Sequence, residues 1–128
     1  MRVHLPASYG ESAAGIARRA APAGDEDLAL VVTELVSNAV RHAGGDILLV
    51  IEDTGGMRRV EVWDTSTQPP RMQAGSLDAE SGRGLLLVDT LSRTWGWSAS
   101  RDTGPWAKTV FAEMGAPQAA AAPNGTSQ

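Results

Sequence analysis

Cysteine is absent from the chain. That excludes a disulfide framework, thiolate metal sites and cysteine nucleophiles. Long apolar runs are missing as well, and the N-terminus has no basic region followed by an apolar segment. Neither a membrane-spanning helix nor a signal peptide is expected, which makes the cytoplasm the default place for the protein. Positive charge is scarce: 11 Lys and Arg stand against 15 Asp and Glu, a net charge of −4, with no basic run. A protein that wraps nucleic acid needs the reverse. Only Lys108 among the basic residues is a lysine. An arginine-heavy basic set beside many alanines is a compositional association with GC-rich bacterial genomes.

What is present suffices for one core. A chain of 128 residues, 42% of them hydrophobic, fits a single domain. Its most informative stretch runs from Leu28 to His42. At 100° per residue Leu28, Val31, Val32, Leu35, Val36 and Ala39 fall on one arc, which predicts an amphipathic helix facing a core. Glu34, Asn38 and Arg41 form a stripe bordering that arc, with Glu34 and Asn38 four residues apart and so stacked on one face. A carboxylate and a carboxamide at the edge of a core are costly unless satisfied, and a hydrated divalent cation with a phosphate would satisfy them. The same pattern also fits a solvated helix face. What weighs against that reading is the rest of the chain.

Met1 to Pro6 alternates weakly and reads as an edge strand. Ser8 to about Ala21 reads as a first helix, with Ser8 and Glu11 in the form of a capping box. Pro22, Gly24, Asp25, Glu26 and Asp27 break and restart the chain ahead of the second helix, which Gly44 and Gly45 end. Asp46 to Asp53 and Arg58 to Asp64 read as a hairpin turning at Thr54, Gly55 and Gly56. Thr65 to Ser81 reads as a long loop. Gly82, Arg83 and Gly84 read as a glycine turn opening into a third helix, where unpaired amides can meet an anion. Trp95–Arg101 and Trp106–Met114 read as two closing strands. Residues 1–115 are expected to be the domain and 116–128 a disordered tail.

An acidic-and-amide helix stripe, an aspartate ending a strand and a glycine turn starting a helix thus occur in one order. At this point the sequence resembles the GHKL (histidine kinase-like) ATPase superfamily, and within it the small anti-sigma factor and serine/threonine kinase type. Residues 34–43 resemble the family's N box nearly residue for residue, Gly82-Arg83-Gly84-Leu85 is similar to its second glycine box, and Lys108-Thr109-Val110-Phe111 resembles the strand closing the adenine pocket.

The resemblance implies an α+β two-layer sandwich of the Bergerat type, its mixed, mostly antiparallel sheet covered on one face by three helices. It implies that Asn38 holds Mg²⁺ against the phosphates of ATP, and that Glu34 orients or deprotonates the attacking hydroxyl or water. It further implies that Asp64 accepts a hydrogen bond from the adenine amino group, that Thr109 is a second adenine contact, and that Gly82, Arg83 and Gly84 meet the phosphates. Each assignment has a plainer alternative. Asp64 can cap a turn, Arg41 and Arg83 can be solvated charges, His42 can be a structural flank, and Trp95, Trp97 and Trp106 read as strand packing.

One departure stands out. The family's first glycine box normally continues from the aspartate with two glycines at alternate positions, whereas here the run is Asp64-Thr65-Ser66-Thr67-Gln68-Pro69-Pro70. The leading expectation is an ATP-binding regulatory kinase acting on a serine or threonine of a partner. An anti-anti-sigma factor-like substrate and a sigma factor are the implied partners, and a homodimer is a state such proteins often adopt. The alternative is an interaction module that has kept the fold and lost turnover.

Overall fold

The computed structural model describes residues 1–70, 80–100 and 104–115, with the backbone alone for 80–84. The elements run β1 (Arg2–Leu5), a 3₁₀ turn (Ala7–Tyr9), α1 (Ser12–Ala20), α2 (Glu26–His42), β2 (Ile47–Thr54), β3 (Met57–Asp64), α3 (Glu80–Leu91), β4 (Thr94–Ala99) and β5 (Lys108–Met114). The five strands form one sheet in the order β1-β2-β3-β5-β4. Every pairing is antiparallel, so the expected mixed character is not found among the described residues. The result is an α+β two-layer sandwich.

Side-chain period decides which face is covered. On β3 the residues Arg58, Val60, Val62 and Asp64 are buried and pair with Met114, Ala112, Val110 and Lys108 of β5, all on one side. Against that side lies the arc of α2: all six apolar residues read from the sequence are buried, in one cluster with Ala13 and Ala17 of α1 and Leu85 and Val88 of α3. The other sheet face carries Arg59, Glu61, Trp63, Phe111 and Glu113. There the Arg59 guanidinium stacks 4.4 Å from the Phe111 ring centroid and bonds both carboxylates. An alternating strand with one face in the core and one toward solvent produces this division.

The β2–β3 hairpin turns on Gly55 (φ 59°) and Gly56 (φ 90°). Two consecutive positive φ values suit a two-residue turn whose twist matches the strands, and glycine adopts them without a Cβ penalty.

Helix α2 starts where expected. Asp25 caps it, its Oδ1 accepting from the Leu28 amide at 3.2 Å, and Glu26 and Asp27 sit in the first turn. The same carboxylate pairs with Arg58 Nη1, and Arg58 Nε donates to the Gly115 carbonyl at 2.9 Å. One buried guanidinium thereby ties the start of α2 to the beginning of β3 and the end of β5.

Helix α1 starts later than the capping box suggests. Ser8 lies in the 3₁₀ turn, and Gly10, at φ 55° and ψ −134°, breaks the chain before Glu11, whose side chain makes no capping bond. A left-handed glycine between two helical turns cannot continue either of them. The expected tail, 116–128, and the far end of the first closing strand, at Arg101, lie outside the described residues.

Asp46, at the entrance of β2, accepts from the Ala7 amide at 2.8 Å and meets His4 Nε2 at 2.9 Å. The Ala7 amide, then the His4 side chain, hold its carboxyl below the ordinary value of 3.8. A depressed folded value adds stability that is fully present above the unfolded value and is lost as pH falls through the folded one. Chemical denaturation of wild type and Asp46→Asn should therefore show wild type the more stable near pH 7, with the gap closing once the pH drops below 3.8. A gap unchanged under acid would refute the linkage.

Candidate functional site

The amphipathic packing of α2 places its polar stripe where the core meets the outside. Asn38 is only 5% exposed. Its Oδ1 is buried and has no hydrogen-bond partner among the described residues. A buried amide oxygen left unpaired costs roughly 1–3 kcal/mol, a cost that a ligand donating or coordinating there would relieve. Glu34 stands one turn earlier on the same helix, half-buried. The hard, cation-seeking oxygen of Asn38 and the carboxylate of Glu34 fit a hydrated Mg²⁺ with a phosphate, the group that the resemblance implies. Arg41 lies in a different setting: it is exposed and lines a cleft of about 430 Å³ with Glu11, Ala14, Ser37 and Val40.

The end of α2 and the end of β3 are brought together by a close approach. Gly44, at φ 74°, turns the chain out of the helix, and Gly45 then passes against Thr65. A Cβ on Gly45 would lie 2.5 Å from Thr65 Oγ1. A larger residue at 45 would have to displace the Thr65 side chain, and this contact puts the helix carrying Asn38 beside the strand end carrying Asp64.

Asp64 is 1% exposed, and Lys108 opposite it on β5 is 3% exposed. Lys108 Nζ donates to both carboxylate oxygens at 2.9 Å. Asp64 Oδ1 also accepts from the Ser66 amide at 2.9 Å, and Ser66 Oγ accepts from the Gln68 amide at 3.0 Å. Two successive side-chain-to-backbone turns thus shape the segment where the family's glycines are missing. Removing one partner of a buried ion pair strands the other charge, at a typical cost of about 3–5 kcal/mol.

Thr109, which is buried, pairs with Trp63 and Ser98, and strand alternation sends its side chain to the sheet face opposite that of Asp64. The continuous register makes Lys108, one residue earlier, the β5 side chain that faces the site. Lys108 was missed as a site residue, although alternation along Val110, Ala112 and Met114 points to it. Gly82, Arg83 and Gly84 do not form a turn before the helix, because α3 begins at Glu80 and contains them. Gly82 and Arg83 fall in its first turn and Gly84 opens its second, and near the start of a helix glycine disturbs few intrahelical bonds. Where their side chains and the 71–79 part of the preceding loop lie is outside the described residues. Trp95 donates through Nε1 to Asp89 at 2.9 Å and packs on the core, as read.

A helical layer on an antiparallel sheet, with an Asn-bearing helix beside an Asp-ended central strand, defines a two-layer α+β domain. The sequence profile of the histidine kinase-like ATPase domain matches residues 7–111, and the chain belongs to that family. ATP binding is what that membership implies. No curated protein matches the chain.

Two outcomes test this geometry. Asn38→Leu, which removes the unpaired oxygen, should leave the nucleotide-free protein at least as stable in urea as wild type; a loss of 2 kcal/mol or more, about the worth of a satisfied buried polar group, would mean that the oxygen is already bonded. Gly45→Ala should cost about 1–3 kcal/mol through overpacking, and Thr65→Ala in the same chain should restore most of it. Full additivity of the two substitutions would separate the residues.

Proposed function

We propose that this chain is an ATP-binding regulatory protein that transfers the γ-phosphoryl group to a serine or threonine of a partner protein, in the manner of an anti-sigma factor kinase. One observation carries the reading: a buried Asn38 Oδ1, unpartnered among the described residues, one helical turn after Glu34. ATP supplies the transferable group, and Mg²⁺ supplies neutralisation of its phosphate charge. Asn38 would hold the cation. Glu34 would accept the proton of the incoming hydroxyl, and Asp64 would accept from the adenine amino group at the floor of the pocket. The first-turn amides of α3, at Gly82 and Arg83, would meet the phosphates.

The substrate proposed is an anti-anti-sigma factor-like protein, with a sigma factor as a second partner, in the cytoplasm. No helix among the described residues is long and apolar enough to cross a membrane. The second reading, an interaction module without turnover, draws on the chain after Asp64: without glycines there, the backbone cannot approach a nucleotide as freely.

Calorimetric titration with a non-hydrolysable ATP analogue should give Mg²⁺-dependent binding that Asn38→Ala weakens by roughly 10- to 100-fold, the worth of a hydrogen bond to a charged group. Glu34→Gln should keep that binding while slowing phosphate release or transfer by about 10²- to 10⁴-fold. Binding without turnover by wild type would leave the interaction module. No heat at millimolar nucleotide would overturn both.

A further inference from the structure

Lys108 is a buried cation whose position has no task in the reading above beyond balancing Asp64. Its bonds suggest one. An ammonium has three N–H donors, and a carboxylate has about four acceptor positions. Two donors engage Asp64 at 2.9 Å, and the third has only the Ser66 carbonyl at 3.5 Å, the outer edge of a hydrogen bond. On the acceptor side Lys108 uses one position on each oxygen and the Ser66 amide a second on Oδ1. Among the described residues this leaves one open acceptor on Oδ2 and one under-used donor on Nζ, side by side at the end of the strand pair.

We propose that Lys108 is the second base-reading residue of the nucleotide site, donating to N1 of the purine while Asp64 accepts from the 6-amino group. The inference rests on the nucleotide reading of the site. Along its pairing edge adenine offers a donor at the 6-amino group and an acceptor at N1; guanine offers an acceptor at O6 and a donor at N1. In one fixed pose the carboxylate–ammonium pair complements adenine at both positions and opposes guanine at both. A lone aspartate would oppose guanine once. The hydrogen bond from an ammonium is charge-assisted, so N1 is read more strongly than by a hydroxyl or a water. Thr109, on the opposite sheet face, cannot take this part.

The test is calorimetric and starts with unaltered protein. In the presence of Mg²⁺, 1-deaza-ATP, which carries a C–H in place of N1, should bind roughly 10- to 100-fold more weakly than ATP. The analogue 7-deaza-ATP, changed on the other edge of the base, should bind as ATP does. A double variant, Asp64→Asn with Lys108→Met, leaves no uncompensated charge in the interior, so folding should survive. It should bind ATP and 1-deaza-ATP alike. Equal binding of the two nucleotides by wild type would overturn the role of Lys108 and leave the nucleotide site standing. So would full discrimination retained by the double variant, because another group would then read N1. Absence of ATP binding by wild type would overturn the proposed function and this inference together.

Discussion

Burial of one side of α2 against the sheet is the constraint on which the remaining geometry depends. Six apolar residues at helical spacing enter the core together, and at about 25 cal/mol per Å² of apolar surface their burial outweighs any single polar contact in the molecule. Because the helix is rigid, fixing that arc also fixes the azimuth of the next stripe. Glu34 and Asn38 are carried to the rim of the core whether or not they find partners there. The Asn38 oxygen, unpaired among the described residues, is thus tolerated by a packing energy many times larger than its cost.

A second consequence concerns how the two halves of the site are kept at a fixed separation. Helix and strand meet through Gly45 and Thr65, with no space for a Cβ between them. From there the chain after β3 is shaped by side chains: Asp64 holds the Ser66 amide and Ser66 holds that of Gln68. Where glycines would give the backbone freedom to approach a ligand, hydrogen bonds here give it a defined turn. Asp64 is therefore at once a strand terminus, a turn former, half of an ion pair and the candidate base contact.

Much of this was legible in the sequence, for reasons that differ by element. The arc of α2 and the alternation of β3 are period signals, and each is dictated locally by burial on one side. The order of motifs along the chain points to the family that the profile match over residues 7–111 shows. Other features depend on register or on distant chain. The partner of Asp64 is Lys108 because seven consecutive pairs align β3 with β5, and a motif read as a string does not say which of two neighbouring residues faces inward. Counting back from Val110 by twos does. Gly82 and Gly84 read as a turn, yet α3 begins ahead of them at Glu80, because a glycine costs least near the start of a helix. Nothing local in Arg58 announces that it will clasp both Asp25 and the Gly115 carbonyl.

That clasp also holds the far end of β5. Strand β5 begins at Lys108, beside Asp64, and ends at Met114, beside Arg58. Seven residues at about 3.3 Å each carry the backbone roughly 20 Å away from Asp64 before Gly115 is gripped. The Asp64–Lys108 pair and the Arg58–Gly115 clasp therefore stand at opposite ends of one strand pair, so a disturbance at either end has the full length of the ladder to cross before it reaches the other.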